Sequence, residues 1–190
     1  MNGSRIRTFI AVQTPVTTRL RKLLSKLNRL NAGAGGTPIR EEQLHITLKF
    51  LGDVPFEQIP AISNVMSDCA GQVTCCELEL HGLGAFPHAR RPSVVWLGVR
   101  QGEPLIRLAE QLETRLLSLG FALERRPFHP HVTLLRFRSR PPDAVFQLLE
   151  QETETEFGRV LIDSVKLFQS ELLKEGARHT VLATATFGTS

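Results

Sequence analysis

One tetrapeptide pattern occurs twice in this chain and limits what it can fold into. His45-Ile46-Thr47-Leu48 and His131-Val132-Thr133-Leu134 share the order His, aliphatic, Thr, Leu, and lie 86 residues apart in a chain of 190. Each sits in a stretch of strand character, residues 44–51 and 131–137. On a strand, side chains at i and i+2 share a face, and those at i+1 and i+3 point the other way. His45 and Thr47 therefore point together, with Ile46 and Leu48 directed into a core. His131 and Thr133 do the same against Val132 and Leu134. A single His-x-Thr match carries little, because β-branched Thr is common in strands. Two matches at nearly half the chain length point to an internal duplication, with one His-Thr pair near 45–48 and one near 131–134 lining opposite walls of one cleft.

The order of elements around the motifs recurs as well. Residues 7–12 read as a strand and 16–31 as a helix, with Leu20, Leu23, Leu24, Leu27 and Leu30 on its apolar face. Asn31 to Gly36 reads as a flexible break. A strand over 44–51, a helix over 55–70 and a strand over 73–80 follow. The Gly- and Pro-rich stretch 81–92 reads as a loop. Then come a strand at 93–99, a helix at 103–119, a strand at 131–137 and a helix at 141–152. Residues 160–168 and 180–187 read as closing strands. Helices mixed with hairpin-like strand pairs predict an α+β fold. No glycine-rich loop joins a strand to a helix, which argues against a Rossmann or P-loop nucleotide site.

Two imidazoles facing each other suit phosphodiester cleavage. Neutral histidine accepts a proton from attacking water, and protonated histidine donates one to the departing sugar oxygen, both near neutral pH. The hydroxyls of Thr47 and Thr133 are placed to donate to non-bridging phosphate oxygens. His129 and His131 flank Pro130 and could in principle ligate a transition metal. Two ligands are too few, and no carboxylate or third histidine is near in sequence, so His129 reads as a supporting residue and no metal is expected. His81, His88 and His179 lack a paired motif and read as surface or loop residues. Arg136, five residues after His131, has the wrong parity for the cleft face and reaches phosphate only if the strand bulges, twists or ends.

The bulk properties agree with this reading. The net charge is +4, and 18 of the 23 basic residues are Arg, whose planar fork suits phosphate. The three cysteines, Cys69, Cys75 and Cys76, have no metal-like spacing and read as reduced thiols of a cytoplasmic protein. No apolar run nears the ~20 residues of a membrane-spanning helix, and no membrane partner is expected.

The paired motifs, the second within Arg126-Pro127-Phe128-His129-Pro130-His131-Val132-Thr133-Leu134-Leu135-Arg136, resemble the 2H phosphoesterase superfamily. The closest resemblance is to the RNA 2′,3′-cyclic phosphodiesterases of bacteria and archaea, also called 2′-5′ RNA ligases. Residues 7–12, 44–52, 94–99 and 167–172 extend the likeness over nearly the whole chain. The resemblance implies one domain over 1–190 with two pseudo-symmetric lobes, each an antiparallel sheet with helices packed outside, around a central cleft. It implies hydrolysis of 2′,3′-cyclic phosphate ends to 2′-phosphomonoesters without a cofactor. His45 and His131 would be catalytic, with Thr47, Thr133 and Arg136 binding phosphate; His45 as acid and His131 as base is one assignment, and the exchanged roles stay open. The partner would be RNA with a cyclic phosphate end or a small cyclic nucleotide, and the enzyme a monomer. Where family members often carry Tyr in the closing hairpin, this chain has His179 and contains no Tyr. Base stacking then falls to Phe50 or Phe86. Reversible 2′-5′ RNA ligation, action on ADP-ribose 1″,2″-cyclic phosphate and a non-catalytic RNA-binding module are the rival readings.

Overall fold

In the computed structural model, residues 4–173 and 176–188 are described. In chain order they form β1 (Arg5–Gln13), α1 (Thr18–Leu30), β2 (Thr37–Pro38), β3 (His45–Pro55), α2 (Ile59–Ala70), β4 (Cys76–Phe86) and β5 (Val94–Arg100). There follow α3 (Glu103–Leu116), β6 (His131–Arg136), α4 (Asp143–Gln151), β7 (Glu156–Ile162), β8 (Ser164–Leu173) and β9 (Gly176–Thr186). The strands make two antiparallel sheets, ordered β3-β1-β8-β9 and β2-β6-β5-β4-β7. The α+β expectation holds. Each motif strand lies beside a central strand, β3 on β1 and β6 on β5, and each pair is connected through a helix.

Local chemistry explains the elements. The leucines of α1 recur at helical spacing, and Leu20, Leu23, Leu24 and Leu27 are buried. Thr17 caps this helix by accepting the Leu20 N–H at 3.1 Å, and its hydroxyl donates to the Phe157 carbonyl, which ties α1 to β7. Buried side chains from both sheets and all four helices join in one apolar core. A second, smaller cluster of Phe9, Ala11 and Phe168 lies apart from it. Because Phe9 and Ala11 alternate with core residues Ile10 and Val12, β1 is buried on both faces.

Two expectations from sequence are corrected. Residues 81–86 are strand, because β4 runs on to Phe86. Gly82, at φ 70°, lies where the registers with β5 and β7 shift, and Gly84 lies under the Trp96 indole, so these glycines serve a bulge and a packing contact. The strand expected over 160–168 is two strands divided at Asp163, one in each sheet. The 31–36 segment is closed by the Asn31 amide, which donates to the Gly36 carbonyl at 2.8 Å and accepts the Gly36 N–H at 2.9 Å.

The connection from α1 to β3 fixes how the sheets meet. Before entering the four-stranded sheet, the chain adds β2 to the edge of the other sheet, pairing Thr37 with Arg136 and Pro38 with Leu135. The Ile39 N–H continues the ladder to the Leu134 carbonyl at 2.9 Å. β3 therefore starts beside β6, and the two strands bring Cα atoms within 8 Å of each other.

Lys49 is the buried charge of β3. Its ammonium donates to Glu113 of α3 at 2.7 Å and to the Ala122 carbonyl at 2.9 Å, while Glu113 also accepts the Glu124 N–H at 3.0 Å. The Lys49 side chain is 1% exposed and that of Glu113 17%. Removing one partner of such a pair strands the other, at a cost of about 3–5 kcal/mol, whereas replacing both with apolar groups is often tolerated. Urea denaturation of Lys49→Met should show a loss of that size, and Lys49→Met/Glu113→Leu should be more stable than the single variant.

Candidate active site

The cleft is built by two strand pairs with matching registers. In the first, His45 pairs with Gln13, Thr47 with Ala11 and Phe50 with Phe9, and Leu48 is left as an extra residue between Thr47 and Lys49. In the second, His131 pairs with Gly98, Thr133 with Trp96 and Arg136 with Val94, and Leu134 is the extra residue. Cross-strand partners share a face, so each bulge restores the fifth residue after the histidine to the cleft side. Arg136 thereby joins His131 and Thr133, and Phe50 takes the equivalent place beside His45 and Thr47. His45, Thr47, His131 and Thr133 are half-buried, whereas Ile46, Leu48, Val132 and Leu134 are buried.

Both imidazoles are anchored alike. His45 Nδ1 lies 2.6 Å from the Gln43 carbonyl, and His131 Nδ1 lies 2.7 Å from the His129 carbonyl. A carbonyl only accepts, so Nδ1 carries the proton and Nε2 is left to work. His129 thus supports the site through its backbone. Its own ring is exposed and packs edge-on against Trp96, 5.7 Å between centroids.

Aromatic rings hold the histidines from below. His45 rests on Phe9 at 5.0 Å, and Phe9 stacks on Phe168 at 5.1 Å. The other wall is Trp96 and Phe86, 6.0 and 5.1 Å from His131. Glycine is required at position 84, where a Cβ would fall 2.1 Å from the Trp96 ring.

These surroundings depress the basicity of the site. Burial pushes His45 down to about 4, helped by the nearby charges of His179, Arg136 and His131 and opposed by the bond to Gln43. His131 is lowered by burial and by His129 and Arg136, and Arg136 itself is lowered by burial. Arg136 and His131 of the second motif act electrostatically on the histidine of the first, and β3 and β6 approach one another, so the two motifs lie close together.

Residues 13–172 match the model of the 2′-5′ RNA ligase superfamily. The chain belongs to this superfamily. It is 38% identical over 146 residues to an Aeropyrum pernix protein named RNA 2′,3′-cyclic phosphodiesterase, covering 76% of this chain and 82% of that one. A protein of the same name from Archaeoglobus fulgidus is 32% identical over 171 residues, 90% of this chain and 94% of that one. The crystal structure of Escherichia coli LigT in apo form superposes with a TM-score of 0.76 at 28% identity, over 98% of this chain and all of that one.

Within this superfamily fold, sequence reasoning placed His179 on the surface, and the structure corrects that. His179 stands on β9, edge-on to His45 at 5.3 Å and to Phe9 at 4.9 Å, half-buried, with its basicity lowered by burial and by Arg136. Phe9, Phe168 and the indole of Trp96 were also not recognised as site residues. A β1 strand buried on both faces was the one available signal, because a purely structural strand facing one core would alternate. His81 is half-buried in β4, and His88 lies in the exposed turn before β5.

Among the described residues no group of three or more His, Cys, Asp or Glu is placed to hold a metal ion, and no helix is long and apolar enough to cross a membrane.

Folding lowers the His45 pKa from its ordinary 6.5 to about 4, so the unfolded chain binds the extra proton in that interval. Stability should therefore be unaffected by this group above pH 6.5 and fall as pH drops from 6.5 to 4. Proton NMR should find the His45 ring signals constant from pH 8 to 5.5, and His45→Gln should flatten the acid decline in melting temperature.

Proposed function

We propose that the chain is an RNA 2′,3′-cyclic phosphodiesterase, hydrolysing cyclic phosphate ends to 2′-phosphomonoesters with His45 and His131 as acid and base. The observation that carries the mechanism is the common register of the two motif strands. That shared register, with each Nδ1 anchored to a carbonyl, supports a reading in which two imidazoles, two threonine hydroxyls and one guanidinium act on one phosphate. The homologues named RNA 2′,3′-cyclic phosphodiesterase support the reaction class.

The chemistry follows from the residues. Thr47, Thr133 and Arg136 hold the non-bridging oxygens and take up the charge that grows on them in the transition state. Nε2 of neutral His131 accepts a proton from water as its oxygen attacks phosphorus. The bond from phosphorus to O3′ breaks, and protonated His45 donates its Nε2 proton to O3′. A depressed pKa makes the His45 imidazolium a stronger acid and a better donor to an alkoxide. Its protonated form gains a counter-charge when the anionic phosphate enters the cleft. Phe50 and Phe86, both exposed at the cleft, offer faces for the base.

Hydrolysis of 2′,3′-cyclic AMP in EDTA, followed by phosphorus NMR, should yield the 2′-phosphate. His45→Ala and His131→Ala should each lose about 10²–10⁴-fold in kcat. No turnover by the unmodified chain would overturn the proposal. A substrate with sulfur in place of O3′ needs little help in leaving. It should restore much of the rate to His45→Ala but not to His131→Ala, and the reverse pattern would exchange the two roles.

A further inference from the structure

At Phe50, in the middle of β3, the cleft is flanked by a groove of about 540 Å³ lined by Phe50–Gly52 and residues 121–126. Phe50, 59% exposed, belongs to both. Its ring lies 6.1 Å from Phe9, which carries His45, and it lines the groove. Leu123, 56% exposed, and the exposed Arg125 and Arg126 line the groove with it.

The walls are held in register from inside. Lys49 and Phe50 are neighbours on β3 with opposite directions, Lys49 buried and Phe50 exposed. Lys49 donates to the Ala122 carbonyl, and its partner Glu113 accepts the Glu124 N–H. The buried ion pair therefore ties the 122–124 segment to the strand that carries Phe50. A large apolar side chain left exposed beside two arginines, on a segment tethered by a buried charge, has no role in the core.

Charge decides which end of the cleft suits a polyanion. Beside Gln13, the partner of His45, a cavity of about 630 Å³ is lined by Lys166 but also by Glu41, Glu42 and Asp163. The groove at the Phe50 end has Arg125 and Arg126 against Glu124 alone. Single-stranded nucleic acid is held by cations along its backbone and by apolar or aromatic faces under its bases.

We propose that this groove receives the RNA strand on the 5′ side of the cyclic phosphate. Phe50 and Leu123 support bases, and Arg125 and Arg126 hold backbone phosphates. Lys49 and Glu113 are positioning residues for its wall. This rests on the reading of the chain as an RNA cyclic phosphodiesterase. His45 and Phe50 both pack on Phe9, at 5.0 and 6.1 Å, so the terminal nucleotide at the histidines reaches Phe50. The nucleotides before it extend along the groove past Leu123 to Arg125 and Arg126, which line it with Phe50.

The test compares two substrates, 2′,3′-cyclic AMP and a six-nucleotide RNA ending in a 2′,3′-cyclic phosphate. For Leu123→Ala/Arg125→Glu, KM for the RNA should rise about tenfold, and its increase with added salt should become shallower. Both kinetic constants for 2′,3′-cyclic AMP should stay within about twofold of the unmodified chain, which also reports that the variant is folded. An equal effect on both substrates, or none on the RNA, would overturn the groove while leaving hydrolysis in place. No turnover of either substrate by the unmodified chain would overturn the hydrolase reading and the groove with it.

Discussion

The site depends on two β-bulges, one at Leu48 and one at Leu134. Without them the period-2 alternation of β3 and β6 would carry Phe50 and Arg136 inward, and a guanidinium would enter an apolar core with no partner. With them each strand presents His, Thr and a third residue to the cleft. The same offset turns the residue before that third one to the core. In β6 this is Leu135, fully buried, and in β3 it is Lys49, which is why β3 needs Glu113 and the Ala122 carbonyl behind it. At these equivalent positions the two halves have exchanged chemistry. One pairs a core cation with a cleft aromatic, and the other a core leucine with a cleft arginine.

Electrostatics and packing act together on the histidines. Phe9, Ala11 and Phe168 form an apolar floor outside the main core, so the cost of a buried charge falls where His45 sits. The surrounding groups are themselves basic, with Arg136 acting on His45, His131 and His179. Such surroundings favour neutral imidazoles, and in the proposed reaction the substrate phosphate would supply the missing negative charge. Anchoring of each Nδ1 to a backbone carbonyl two residues upstream gives both rings the same working nitrogen.

Much of the fold was legible because its signals are local. The leucines of α1 and the alternation around both motifs act within a turn or a strand. The misreadings share a cause. Gly82 and Gly84 signal a loop when read locally, yet their reason lies across the sheet, in a bulge and under the Trp96 ring. Residues 160–168 read as one strand because hydrophobicity continues through Asp163 while the chain changes sheets.

The sequence by itself determined the two His-Thr pairs, the faces they share and the α+β class, because the period of a strand and the chemistry of imidazole follow from residue order. It left Arg136 conditional on a bulge, which is a property of two strands in register and not of one. It missed His179, whose distance from His45 is set by β9 joining β8, β1 and β3 in one sheet, 134 positions along the chain from its partner. Tertiary structure also decided that His129 works through its carbonyl, and that a lysine buried in β3 reaches the segment beside the cleft. Each of these depends on which strand lies next to which, and that is settled only when both sheets close over the common core.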